Sequence, residues 1–136
     1  MRVRWELLHD SKAIKAIVTA AHALYTRNNE TVGAIRSWDA MVQKGVDISD
    51  TAQNFIVIID SLCNLDLLYY AAAYTGETHL AEAATTHAKT LLRSHIRREA
   101  KISGDPNVYS TFHVVNFDPA TGHIKEQLTA QGFSTT

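Results

Sequence analysis

The sequence has 136 residues, of which 46% are hydrophobic and 20% are charged, a balance typical of one soluble globular domain. Thirteen Lys and Arg residues against fourteen Asp and Glu residues give a formal net charge of −1, so the strongly basic composition of nucleic-acid binders and membrane-surface proteins is absent. The single cysteine, Cys63, excludes an intramolecular disulfide and a cysteine-cluster metal site.

The sequence also bears on where the protein acts. No stretch approaches the roughly 18 uninterrupted apolar residues of a membrane span. Residues 1–6 run directly into charged side chains and lack the apolar core of a signal peptide. We therefore expect a cytoplasmic protein whose partners include neither nucleic acid nor a membrane.

The first part of the chain predicts two helices followed by a loop. Residues 7–10 are typical of a helix end, and Asp10 or Ser11 can cap the next helix. That helix reaches about residue 27, because its apolar residues follow the spacing of an amphipathic helix: Ile14, Ile17, Val18, Ala21 and Leu24. Residues 31–39 then form a connection that carries Trp38, and a polar stretch follows at 44–52.

Residues 52–75 contain the most apolar segment of the chain. Apolar residues occupy almost every side of the helical wheel, which predicts a buried helix, and Gly76 ends it as a C′ glycine. A one-sided helix starts at about Thr78 and ends in the basic residues Arg93, Arg97 and Arg98. We interpret this basic run as a solvated helix end, because cations suit the negative end of the helix dipole.

After Gly104 the pattern becomes typical of strands. Residues 109–117 are rich in β-branched and aromatic side chains, 118–122 supply turn residues, and 123–129 can return as a second strand. The predicted fold class is mainly α, with helical hairpins in 1–97 and a loop and β-hairpin in 98–136. A faint self-similarity at an offset of 67 residues is typical of arrays of helical hairpins.

Asp60 is the first candidate for chemistry, because it lies in the most apolar predicted helix. Burial would disfavour the charged form of its carboxyl, which suits a group that gives a proton and then takes one back. Asn64 follows at i+4, where it can hydrogen-bond or orient that carboxyl. The alternative for Asp60 is a polar residue at a helix contact or at an exposed helix edge.

Two aromatic residues are further candidates. His113 lies in the first predicted hairpin strand, either as a structural residue or as a metal ligand or base. Trp38 is either a core residue or a platform on which a sugar ring stacks. Three other histidines recur every eight residues and fan around one helix, so we predict no metal site there: His79, His87 and His95.

Several segments, in the same order, resemble the unsaturated glucuronyl hydrolases, glycoside hydrolase family 88. Residues 57–68 (VIIDSLCNLDLL) resemble the family's I-I-D-x-x-x-N-L-x-L-L segment, and 32–39 (VGAIRSWD) its G-x-I-x-S-W-D loop. Residues 109–119 (YSTFHVVNFDP) resemble Y-S-T-F-H-V-V-N-x-D-P, and 129–133 (TAQGF) resemble the Q-G-Y/F stretch. The resemblance covers nearly the whole chain.

The resemblance implies an (α/α)6 barrel of six helical hairpins. It also implies release of a 4-deoxy-Δ4,5-unsaturated uronic acid from oligosaccharides made by polysaccharide lyases, by protonation at C4, addition of water at C5 and opening of the hemiketal. Asp60 matches the family's catalytic acid/base. His113 and Gln131 match positions that contact the unsaturated uronate, and Trp38 matches an aromatic stacking position. We include Asn64 among the substrate-binding candidates. No metal or organic cofactor is implied.

Two motifs of the family are absent from the sequence. These are H-D-x-G-F, which holds a second essential aspartate, and S-x-W-x-R-G-Q, which holds an arginine for the substrate carboxylate. We therefore expect an internal fragment with about two of the six hairpins, an incomplete barrel and only part of the active site, inactive by itself. The alternative function is a degenerate copy or a non-catalytic helical-hairpin protein, which binds a partner or itself through exposed apolar flanks.

Overall fold

The computed structural model describes residues 1–43, 46–99, 104–129 and 132–133. The α-helices in these residues are α1 (Arg2–Leu8), α2 (Ser11–Tyr25), α3 (Leu65–Thr75) and α4 (Thr78–Ser94). Each helix packs against the next one in the chain, and α2 also contacts α4. Among the described residues, no helix is both long and apolar enough to cross a bilayer.

Two capping residues set helix boundaries where the sequence predicts them. The Asp10 side chain accepts a hydrogen bond of 2.9 Å from the Lys12 N–H and so caps α2. Gly76 ends α3 with a φ of 81°, and its N–H donates to the Ala72 carbonyl at 2.8 Å. Glycine adopts this left-handed conformation without the steric cost of a side chain. The predicted boundaries at these two residues are confirmed.

The strands are short, and every pairing within the described residues is antiparallel. They are β1 (Asn28–Asn29), β2 (Ala34–Ile35), β3 (Met41–Gln43), β4 (Val46–Ile48), β5 (Phe55–Ile58), β6 (Ile96–Arg98), β7 (Tyr109–Thr111), β8 (Val114–Phe117), β9 (Ile124–Thr129) and β10 (Gly132–Phe133). A central sheet has the order β10–β9–β8–β5, beside the pairs β1–β2, β3–β4 and β6–β7. The β8–β9 pair confirms the predicted hairpin.

The prediction of one buried helix over 52–75 is wrong. β5 comes first, a 3₁₀-helix (Ile59–Asn64) follows, and α3 begins only at Leu65. A short apolar run such as 55–59 is compatible with a buried strand as well as a buried helix. Pairing of β5 with β8 decides between them, because it satisfies the backbone hydrogen-bonding groups of both segments.

The predicted strand over 109–117 is divided in two. Phe112 and His113 separate β7 from β8, and β7 pairs with β6. Arg97 and Arg98 therefore lie in a strand, which corrects their interpretation as a helix end. The range 1–97 thus contains strands as well as helices, and β5 joins it to the sheet formed by the rest of the chain.

Both faces of the central sheet carry packed apolar side chains. On one face Val57 packs with Leu91 of α4. On the other face Ile56 and Leu128 pack with Trp38. Successive strand residues point to opposite faces, so β5 contributes to both clusters. This packing fixes the end of β5, where the candidate site begins.

Candidate active site

Asp60 lies at the point where β5 ends and the chain turns into the 3₁₀-helix. Its side chain is 64% exposed, so the prediction that this carboxyl lies in a buried helix is wrong. The tight turn places the neighbouring Ser61 and the later Leu65 in the interior, whereas Asp60 faces solvent. The carboxyl is therefore accessible to a ligand.

His113 contacts this carboxylate. Its Nε2 lies 3.0 Å from Oδ2 of Asp60. The strand register explains the contact: β5 ends at Ile58 opposite Val114, so the residues just beyond this pair lie close together. The Ile59 N–H also donates to the His113 carbonyl at 2.9 Å. The other ring nitrogen of His113, Nδ1, is buried and has no hydrogen-bond partner in the described part of the chain.

Trp38 lies beside His113, with ring centroids 5.8 Å apart and ring planes at 70°. The Trp38 segment runs along β5, where the Ser37 N–H donates to the Ile56 carbonyl at 2.8 Å and Ser37 Oγ accepts from the Ile58 N–H at 3.0 Å. Trp38 itself forms a β-bridge with Ile56. The half-buried indole therefore packs on the sheet and also borders the site.

A cavity of about 420 Å³ adjoins Asp60, a size within the range of small-molecule pockets. Trp38 and Asn64 line it together with Asp60. Two roles were open for Asn64, to hydrogen-bond the Asp60 carboxyl or to position it, and within the described residues that carboxyl bonds His113 rather than Asn64. The structure thus brings Asp60, His113, Trp38 and Asn64 to one place. Gln131 lies outside the described residues.

Two arginines that we did not select from the sequence line the same cavity, Arg27 and Arg36. Arg27 Nη2 donates to Asp39 Oδ1 at 2.7 Å, and this hydrogen bond holds the pKa of Asp39 below its usual value. Arg36 Nη1 donates to the Asn54 carbonyl at 2.7 Å. Positive charge therefore borders the cavity. Within the described ranges, no group of three or more His, Cys, Asp or Glu residues is arranged to hold a metal ion.

His87 also lines the cavity, although the sequence did not indicate it as a site residue. It is fully buried, and burial together with the neighbouring His95 lowers the pKa of His87 to about 4. The sequence does carry a signal for this burial. His87 follows Leu80 by seven positions and Ala84 by three, on the buried stripe of α4.

No family model matches the chain. It is 37% identical over 117 residues to an unsaturated glucuronyl hydrolase of Formosa agariphila, covering 86% of this chain and 25% of the relative. It is 30% identical over 125 residues to an unsaturated chondroitin disaccharide hydrolase of Streptococcus agalactiae, covering 92% of this chain and 27% of the relative.

Solved structures give the same result. A crystal structure of an unsaturated glucuronyl hydrolase specific for heparin superposes with a TM-score of 0.75 at 33% identity, over 95% of this chain and 30% of that one. The unsaturated glucuronyl hydrolase of Streptococcus agalactiae gives a TM-score of 0.73 at 30% identity, over 96% of this chain and 29% of that one.

These similarities define the class of protein: the fold corresponds to part of the α/α toroid that these glycoside hydrolases have. Along nearly its whole length the chain is homologous to the unsaturated glucuronyl hydrolases, and the resemblance predicted from the motifs is confirmed. The chain spans about a quarter of the length of the curated relatives that it matches. The comparisons do not favour the alternative of a non-catalytic interaction protein.

Proposed function

We propose that this chain is part of a glycoside hydrolase that releases a 4-deoxy-Δ4,5-unsaturated uronic acid from lyase-generated oligosaccharides. The observation that carries the proposal is the contact of 3.0 Å between His113 and Asp60, whose carboxyl borders a cavity that Trp38 also lines. The relatives support this substrate class. They include unsaturated chondroitin disaccharide hydrolases, and one solved relative is a variant with dGlcA-Glc-Rha-Glc.

Asp60 is the proposed acid/base. His113 holds its Oδ2, whereas its Oδ1 has no hydrogen-bond partner among the described residues and is open to a substrate. The protonated carboxyl would give its proton to C4 of the vinyl ether. The resulting carboxylate would then take a proton from the water that adds at C5. Asp60 is thereby restored, and the hemiketal opens to release the sugar.

The remaining candidates are proposed to bind the sugar. The Trp38 ring offers an apolar surface on which a pyranose can stack. The side-chain amide of Asn64 has no hydrogen bond within the described ranges and lies in the cavity wall, where it can reach a hydroxyl group. Gln131 is retained as a substrate-binding residue on the resemblance alone.

A chimera tests the proposed function. The matching segment of the Formosa agariphila relative is replaced by this chain, and loss of the ultraviolet absorbance of an unsaturated disaccharide is followed. Because acid/base catalysis needs the carboxyl together with the substrate-binding groups, we expect turnover by the chimera and none by the 136 residues alone. A folded chimera without turnover would contradict the proposal.

The role of Asp60 is tested in the same chimera. Asp60→Asn should lower kcat by about 100-fold or more, because loss of a general acid/base typically costs 100- to 10,000-fold. Asp66→Asn is the matched control, since Asp66 is an exposed carboxylate that pairs with Arg2. Equal turnover by the Asp60→Asn and Asp66→Asn chimeras would show that Asp60 is not the acid/base.

A further inference from the structure

The buried imidazole of His87 contacts two separate parts of the candidate site. Its Nδ1 accepts a hydrogen bond of 2.9 Å from the Ile35 N–H. Its Nε2 lies 2.8 Å from Ser61 Oγ, and that hydroxyl donates to the Ile58 carbonyl at 2.6 Å. One side chain of α4 thus contacts both the strand before Trp38 and the turn that carries Asp60.

These contacts define one tautomer of His87. The Ile35 N–H can only donate, so Nδ1 must carry no hydrogen. The single hydroxyl hydrogen of Ser61 is directed to the Ile58 carbonyl, so Oγ accepts from Nε2–H. A neutral imidazole with its hydrogen on Nε2 satisfies every one of these groups. The low pKa of this buried histidine agrees with the neutral form.

The two hydrogen-bond partners of His87 lie in the segments that carry Asp60 and Trp38. Ser61 directly follows Asp60, and Ile35 precedes Trp38 by three residues in a segment that continues along β5. The imidazole itself lines the cavity between them. A shift of the imidazole would therefore move the carboxylate and the indole relative to each other.

We propose that His87 is a positioning residue: through Ser61 and Ile35 it sets the distance between Asp60 and Trp38 across the cavity. Its effect on substrate rests on the proposed function, whereas its effect on the geometry of the chain does not. His87 itself has no part in proton transfer, because both of its nitrogens are engaged by the protein.

Nuclear magnetic resonance of the 136-residue chain tests the geometry directly. The His87 ring should show a hydrogen on Nε2 and none on Nδ1. His87→Leu should shift the resonances of the Asp60 carboxyl and of the Trp38 indole. Thr90→Val is the matched control on the same helix, because it also removes a side-chain hydrogen bond, the part-buried one from Thr90 Oγ1 to the Gly33 carbonyl. It should leave the Asp60 and Trp38 resonances unchanged.

Conservative variants test the two hydrogen bonds of His87 separately. His87→Asn can keep an acceptor for the Ile35 N–H, and should retain the Trp38 position better than the Asp60 position. His87→Gln can keep a donor toward Ser61, and should show the reverse. Ser61→Ala removes the link to the Asp60 turn with a smaller change in volume, and gives an answer if the His87 variants do not fold.

Kinetics in the chimera complete the test. His87→Leu should lower kcat by about 10-fold or more, since a misplacement of about 1 Å can cost up to 100-fold, and Thr90→Val should not lower it. A hydrogen on Nδ1, or His87→Leu and Ser61→Ala spectra in which Asp60 and Trp38 stay in place, would overturn the inference. An inactive wild-type chimera would contradict the proposed function alone, because the spectra decide the role of His87 independently.

Discussion

Nε2 of His113 lies 3.0 Å from Oδ2 of Asp60, although 53 positions separate the two residues in the sequence. Antiparallel pairing of Ile58 with Val114 brings them together. The contact leaves Nδ1 of His113 buried without a hydrogen-bond partner among the described residues. An unsatisfied buried polar group costs about 1 to 3 kcal/mol of folding free energy, so this nitrogen lowers the stability of the chain.

Substitution of His113 should therefore separate stability from activity. His113→Leu removes the unpaired nitrogen, and we expect the free energy of unfolding of the chain to stay the same or to rise by about 1 kcal/mol. In the chimera the same change should lower kcat by about 10-fold or more, because Oδ2 of Asp60 loses its hydrogen-bond donor. Urea denaturation and the absorbance assay measure the two effects.

Two variants control this experiment. His113→Gln keeps a donor that can reach Asp60 and should retain more of kcat than His113→Leu. His123→Leu changes an exposed histidine in the turn between β8 and β9, and should leave kcat unchanged. A His113→Leu protein that loses stability and keeps its kcat would show that the histidine is structural.

Acidification should destabilise the chain through His87. Burial, with His95 as the smaller cause, lowers the pKa of His87 to about 4, below the ordinary value of about 6.5 that we expect in the unfolded chain. Between these values the unfolded state binds more protons, so stability is lost as the pH falls. Between about pH 7 and about pH 5 the loss from His87 is roughly 2 kcal/mol.

Urea denaturation at the two pH values measures this loss. His95 acts in the same direction, because burial lowers its pKa as well. His87→Asn removes one titrating group, so its free energy of unfolding should depend less on pH than that of the wild-type chain. Identical pH dependence of the two proteins would contradict the assignment of this effect to His87.

Gly122 is the position where we expect an added methyl group to be most harmful. Its φ is +73°, and a Cβ there would lie 2.5 Å from the Thr31 carbonyl oxygen. Gly122→Ala should destabilise the chain by about 1 to 3 kcal/mol, because backbone strain and the clash add. Gly76→Ala is the control, since its φ is +81° but, apart from its chain neighbours, no described residue has an atom within 4 Å of an added Cβ. Equal losses in thermal denaturation would show that the clash contributes nothing.

The exposed apolar face of α1 should cause self-association. Val3, Leu7 and Leu8 of this helix are 66%, 74% and 71% exposed. Such a face is normally covered in a folded protein, and we expect light scattering to show species larger than a monomer that increase with concentration. The double change Leu7→Lys and Leu8→Lys should reduce association, whereas Leu92→Lys, at an exposed position of α4, should not. A monomer at every concentration would contradict this expectation.

Local signals in the sequence were sufficient for α2 and for the end of α3, but not for the start of α3, which the sequence placed within one longer helix. The spacing of Ile14, Ile17 and Ala21 and the cap at Asp10 predicted α2, because a helix is formed by contacts between residues three or four positions apart. The motif around residues 57–68 likewise indicated the family from the order of its side chains, and the homologous proteins confirmed it.

The β5 strand and the geometry of the candidate site depend instead on pairing between segments that are distant in the sequence. The apolar run that ends at Ile58 has no period that distinguishes strand from helix, and β8, which lies far along the chain, supplies the hydrogen bonds that make it a strand. The same pairing brings His113 to Asp60, and the 3₁₀ turn that follows β5 leaves the carboxylate facing solvent. The family motifs could therefore name several of the candidate residues, whereas Arg27, Arg36 and His87 were missed. The exposure and contacts of all these residues depend on strand register, which only the folded chain defines.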